Sequence, residues 1–108
     1  MTQPIQVQPA PPYSDAWENL IRDIIKWQDV TFPHATPQSA AKHLRREAKE
    51  LLDNPTDGGE QADVFILTVA VASLSGNNLY TEVRRKFKIN QEREWGEPDS
   101  DGVVEHVK

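Results

Sequence analysis

Apolar positions along the chain fall into four segments at helical spacing. In the first, Trp17, Leu20, Ile21, Ile24 and Ile25 make one stripe, the mark of an amphipathic helix. Ser14 or Asp15 is its expected N-cap, and Thr31-Phe32-Pro33 its expected end. In the second, Ala41, Leu44, Ala48 and Leu51 form the stripe. Thr36 is placed to cap it, Pro37 suits its first helical position, and Asn54–Pro55 stops it. The third, Val64 to Leu74, is apolar nearly all round, so it is expected as the buried central helix. Its length favours a helix over a strand, although "VFILTVAV" alone fits either. Asp57 is its expected cap and Gly76 its stop. The fourth is expected from Asn77 or Asn78 to about Trp95, with Leu79, Val83 and Phe87 as core contacts; Gly96 and Pro98 end it. The pattern predicts an all-α, four-helix subunit with short connections.

The 108 residues fit one domain. Residues 1–12 hold four of the eight prolines and are expected as a flexible arm, with the folded domain over 13–108. A net charge of −5 argues against a nucleic-acid polymer as partner. The absence of cysteine excludes disulfides and thiolate metal sites. The Pro- and Gln-rich start lacks an apolar leader core, and the Val64–Leu74 run is too short to span a bilayer. A cytoplasmic protein without membrane contact is therefore expected.

Candidate chemistry lies at the threshold of the apolar third segment. Glu47 and Glu50 are three apart, as are Glu60 and Asp63, so each pair shares a helix face. If the second and third helices pack antiparallel, the two pairs meet. Four carboxylates at close quarters repel, and a hard divalent cation such as Mg²⁺ or Mn²⁺ removes that cost. Simpler readings exist. Glu47 and Glu50 can pair with Arg45, Arg46 or Lys49; Asp57-Gly-Gly-Glu60 reads as a capping box; Asp63 suits a first helical turn. On the fourth helix, Lys86, Asn90 and Arg93 share a face that suits a polyphosphate. It equally reads as an ordinary basic surface, since Arg84, Arg85 and Lys88 lie beside it.

Taken in order, Glu47-Ala-Lys-Glu50, Glu60-Gln-Ala-Asp63 and Lys86-Phe-Lys-Ile-Asn90-Gln-Glu-Arg93 resemble the motif of the MazG-like all-α nucleoside triphosphate pyrophosphohydrolases. Trp27, Thr31-Phe32-Pro33, His43-Leu44 and the stretch from Asn90 to His106 are similar to the bacterial and phage dATP/dGTP branch. The resemblance covers roughly residue 14 onward. Two features depart from the family pattern: Arg46 stands where an acid often precedes the first glutamate, and the spacer between Glu50 and Glu60 is short.

The resemblance implies a homodimer or homotetramer whose site is completed by oligomerisation. It implies Mg²⁺ or Mn²⁺ held by Glu47, Glu50, Glu60 and Asp63, and cleavage of a purine (d)NTP, dGTP or dATP, to (d)NMP and pyrophosphate. Glu47 and Glu50 are then the catalytic carboxylates, with Glu47 the preferred proton acceptor. Lys86 and Arg93 hold the β- and γ-phosphates, Asn90 positions a phosphate or sugar oxygen, and His43, one turn before Glu47, contacts substrate or metal. Trp17, Trp27 and Phe32 are open to base stacking or to packing; His34 has no assigned role, and for His106 the resemblance points to contact with nucleotide or a neighbouring subunit. A di-iron bundle is disfavoured because no Glu-x-x-His pair is present. A non-catalytic helical metal-binding or interaction module is the alternative.

Overall fold

The computed structural model describes residues 12–107. Among them are four helices, α1 (Pro12–Thr31), α2 (Pro37–Asp53), α3 (Gly58–Leu74) and α4 (Leu79–Glu92), and no strand beyond an isolated Trp95–His106 bridge. The architecture is all-α, as the periodicity predicts. The chain divides into two compact units, one carrying α1 to α3 and ending at Asn78, the other beginning at Leu79. All of the arm expected over residues 1–12 except Pro12 lies outside the described residues.

Local chemistry sets the helix ends of the first unit. Thr36 caps α2 with Pro37 just inside, and Ser39 returns the bond: Thr36 Oγ1 accepts from the Ser39 N–H at 3.0 Å and Ser39 Oγ from the Thr36 N–H at 2.9 Å. Asp57 caps α3, its Oδ1 accepting from the Gly59 and Glu60 N–H groups at 2.8 and 3.2 Å. Helix α3 closes at Gly76, whose φ of +78° only glycine adopts cheaply. There the Asn77 N–H donates to the Ala72 carbonyl and the Gly76 N–H to the Ser73 carbonyl, which together satisfy the last turn. The caps expected for α1 do not act as such: the helix is under way at Pro12, ahead of Ser14 and Asp15.

Helices α2 and α3, joined by only a few residues, form a hairpin, and α1 packs on α3. Among the described residues, Ala40, Leu67, Val69 and Ala70 form the buried core. Three of these four belong to α3, in keeping with its all-round apolarity. Ile21, Ile24 and Ile25 of the α1 stripe are half-buried, while Trp17 and Leu20 remain exposed. Phe65 is at the surface and meets Trp17 edge to face, with centroids 5.9 Å apart.

The second unit is α4 and a folded-back tail. Helix α4 ends at Glu92, short of the expected Trp95, so Arg93 and Trp95 lie beyond it. The tail pairs on itself: the Gly96 N–H donates to the Glu105 carbonyl and the Val107 N–H to the Glu94 carbonyl, both at 2.8 Å. Its turn is organised by Asp99, whose Oδ1 accepts from the Asp101 and Val103 N–H groups, and by Gly102 at φ +81°. Val83 and Phe87, expected as core contacts, are 56% and 62% exposed in the single chain. No single helix among the described residues is long and apolar enough to cross a membrane.

Candidate active site

Three of the four sequence-predicted acids come together across the α2–α3 hairpin. Glu47 from α2 and Glu60 and Asp63 from α3 each offer a carboxylate oxygen, all within 4.8 Å of one another. Glu47 and Glu60 are half-buried and Asp63 is exposed. Glu50 is exposed and its oxygens lie outside that group, yet its charge reaches both Glu47 and Glu60.

The electrostatics follow from this crowding. Burial, then the charges of Glu50 and Asp63, push the Glu47 carboxyl above the ordinary carboxylate value. His43 pulls the other way, with Nε2 3.7 Å from Glu47 Oε2, too long for a hydrogen bond. Burial, then Glu50, Asp57, Glu47 and Asp63, raise Glu60. Glu60 Oε1 is also buried without any hydrogen-bond partner.

The capping-box reading of Glu60 can be checked directly. A reciprocal box would have its carboxylate accept from the Asp57 N–H. That N–H instead donates to the Asn54 carbonyl at 3.1 Å, and Glu60 is aimed at the other acids. The alternative pairing of Glu47 also fails: Lys49 binds Asp53 at 2.8 Å, and no ion pair joins Glu47 to Arg45 or Arg46. A buried, unpaired carboxylate oxygen among like charges is costly. A divalent cation with hard oxygen ligands fits this donor set.

A cavity reaches the acids on the α1 side, and a second one continues from it. One of about 300 Å³ is walled by Trp27, Gln28, Phe32, His43, Glu47 and Asp63, among others. The other, about 610 Å³, shares Gln28, Phe32, His43 and Leu67 with it and reaches His34, Lys42 and Arg46. Trp27 and Phe32 meet edge to face at 5.5 Å and keep 54% and 44% of their surface exposed, so both line the cleft rather than fill a core.

In the second unit, most cations of α4 have partners on their own helix. Arg85 binds Glu82 at 2.8 Å, Lys88 lies 3.8 Å from Glu92, and Arg84 stacks on Tyr80. Lys86 has no such partner among the described residues and is exposed. Asn90 Oδ1 is buried and unpartnered, while the Asn90 carbonyl accepts from Trp95 Nε1 at 2.9 Å. Arg93 Nη1 lies 3.4 Å from His106 Nδ1, and Trp95 meets that imidazole edge to face. The sequence did not foretell the proximity of His106 to Arg93; the hairpin that creates it depends on pairing across the turn. The Asp101–Gly102 dipeptide was the available signal for that turn.

A helical hairpin that converges Glu47, Glu60 and Asp63 agrees with the resemblance of the motif to the MazG-like all-α class. A solved structure of that class, the MazG-like pyrophosphohydrolase of cyanophage S-2L bound to dGDP and three catalytic Mn²⁺ ions per active site, is similar to this chain. The TM-score is 0.71 at 30% identity, over 84% of this chain and 96% of that one. The chain belongs to the dATP/dGTP pyrophosphohydrolase family, whose model matches residues 20–108. It is 32% identical to the dATP/dGTP diphosphohydrolase of cyanophage S-2L over 82% of its own length and 85% of that protein. It is 40% identical to the dATP/dGTP diphosphohydrolase of Salmonella phage PMBT28 over 75% of its length, and spans only 28% of that longer protein.

Proposed function

We propose that this chain is a metal-dependent pyrophosphohydrolase that cleaves dATP and dGTP between the α- and β-phosphates, releasing dNMP and pyrophosphate. The observation that carries the reading is the trio Glu47, Glu60 and Asp63, whose charge the fold leaves uncompensated and whose Glu60 oxygen has no partner. Bound Mg²⁺ or Mn²⁺ would offset phosphate charge and acidify a water. Glu47, Glu60 and Asp63 are the residues to hold it. Glu50, outside the three-oxygen group, is less committed to a ligand and better suited than Glu47 to accept the proton of the attacking water. His43, beside Glu47 and on the wall of the same cavity, is a proposed substrate contact. Lys86, Asn90 and Arg93 are the proposed contacts for the phosphates; Lys86 is free of the intrahelical pairing that occupies Arg85 and Lys88.

A homo-oligomer belongs to the same proposal. Val83, Phe87, Trp17 and Leu20 leave much apolar surface uncovered on one chain, and a second copy would cover such surface. The family's phage members support a soluble enzyme acting on the nucleotide pool of an infected cell.

The test is a product assay. The purified chain is incubated with each of the eight common NTPs and dNTPs and Mg²⁺ or Mn²⁺, with Asp63→Ala as control. Purine dNMP and pyrophosphate, lost in the control, support the reading. Diphosphate and orthophosphate would refute the bond assignment, and no turnover would favour a metal-binding or interaction module.

A further inference from the structure

Gln28 occupies an unusual position in the first unit. With Phe32, it lines all three of the described cavities: the one that holds Glu47 and Asp63 on its wall, the larger one that continues from it, and a smaller one toward Ala70 and Leu74. It lies near the end of α1, where its backbone carbonyl accepts the Phe32 N–H at 2.8 Å. Its side chain is half-buried and makes no hydrogen bond to any described residue. Its amide atoms are not among the buried unsatisfied ones, so a ligand can take them without breaking a bond to protein. Trp27 and Phe32 share the cavity that holds Glu47 and Asp63 with Gln28 and keep about half of their surface exposed, and aromatic surfaces beside a hydrogen-bonding edge are how proteins hold an unstacked base. Glu47 and Asp63 sit on the wall of the same cavity, so a nucleotide with its α-phosphate at the acids has its base within reach of this wall. His43, the other polar residue shared by the two larger cavities, is already turned toward Glu47.

We infer that Gln28 reads the purine by pairing its amide with the Watson–Crick edge, and that its freedom to flip lets it accept both adenine and guanine. This rests on the proposed function above. An amide carries one acceptor and one donor side by side. In one orientation Oε1 accepts from adenine N6–H while Nε2–H donates to N1. Turned over, Nε2–H donates to guanine O6 while Oε1 accepts from N1–H. No protein partner fixes either orientation, so neither purine is favoured by the amide itself. A pyrimidine edge offers similar groups, so size and the stacking of the second ring must exclude it.

The test compares wild type, Gln28→Leu and Gln28→Glu. Dissociation constants for α,β-methylene analogues of dATP and dGTP are measured by calorimetry with Mn²⁺ present, and kcat/KM for dATP and dGTP alongside. Thermal melts check that the variants fold. Gln28→Leu is expected to weaken both purines by about tenfold or more. Gln28→Glu accepts twice, which suits guanine N1–H and N2–H but opposes the adenine N1 lone pair. The ratio of dGTP to dATP affinity is expected to rise about tenfold. Unchanged constants in Gln28→Leu overturn the inference, as does a loss confined to one purine. Wild type that binds both analogues but releases no pyrophosphate would refute the proposed function, with the base reading still decided by the variants' affinities. Wild type that hydrolyses both purines beside an unchanged Gln28→Leu would refute this inference alone.

Discussion

The two units treat charge in opposite ways. On α4, Arg85 and Lys88 find acids one turn away and Arg84 finds a tyrosine ring, so most of the basic surface is matched where it arises. On the α2–α3 hairpin, acids are set against acids. The cations of α2 do not relieve them: Lys49 is taken by Asp53, and neither Arg45 nor Arg46 pairs with the cluster. Intrahelical pairs of the first kind contribute a few tenths of a kcal/mol, and they are what an unselected charged helix would be expected to have. An uncompensated half-buried cluster is a cost to the apo fold, and so it points to a ligand that the fold awaits.

Replacing a member of the acid trio gives the largest expected effect. Glu60→Gln or Asp63→Asn should lower pyrophosphate release by more than about a hundredfold. The apo chain should melt no lower than wild type, since the repulsion is relieved. Loss of activity accompanied by a lower apo melting temperature would return these acids to a structural role. Glu50→Gln should lower kcat while leaving Mn²⁺ affinity within about threefold; a large loss of affinity would make Glu50 a ligand rather than a proton acceptor.

Lys86→Ala or Arg93→Ala should weaken triphosphate binding roughly ten- to a hundredfold. Mn²⁺ binding measured without nucleotide should not change. Arg85→Ala, which removes only a local pair with Glu82, should change neither. Equal effects at Arg85 and Lys86 would erase the distinction drawn between matched and unmatched cations.

The pH dependence of apo stability sharpens the same contrast. Glu47 and Glu60 are raised above their ordinary value of 4.5, so the folded chain binds protons more tightly than the unfolded one. Their destabilising contribution is therefore complete above the folded pKa values, shrinks as pH falls, and vanishes below about 4.5. In urea melts with a chelator, the advantage of Glu60→Gln over wild type should be largest near neutrality and close toward pH 4.5. Saturating Mn²⁺ should remove it at neutrality. A pH-independent difference would contradict the assigned electrostatics.

Smallest is the cap. Asp57→Ala removes the bonds to Gly59 and Glu60 N–H and should cost about 1 kcal/mol, read as a shift in the urea midpoint of unfolding.

What the sequence made legible divides along similar lines. Thr36-Pro37, Asp57 and Gly76 act through bonds to residues within a few positions, so their roles follow from local spelling. The end of α4 does not. "NQEREW" continues the helical pattern, but the tail pairs Gly96 with Glu105 and Val107 with Glu94; Asp101–Gly102 marks a turn there, yet nothing local says that its two arms reach back to stop the helix. For the acids, the spacing put Glu47 beside Glu50 and Glu60 beside Asp63. It did not foretell which oxygens would converge. The same three-residue spacing puts both Glu60 and Asp63 into the group but leaves Glu50 outside the one that Glu47 joins. The exposure of Val83 and Phe87 was equally hidden: helical periodicity marks an apolar face without saying what will cover it.

The broken reciprocity between Asp57 and Glu60 has a meaning in the language of folding landscapes. Thr36 and Ser39 complete their box on α2, and the chain had the residues to write the same device at the start of α3. It forgoes it there and sends the glutamate into a crowd of like charge. Natural folds keep such frustrated positions few, and those that persist tend to mark sites under selection for something other than folding. At Glu60, the sacrificed cap is a signature of function that remains readable before any ligand has been seen.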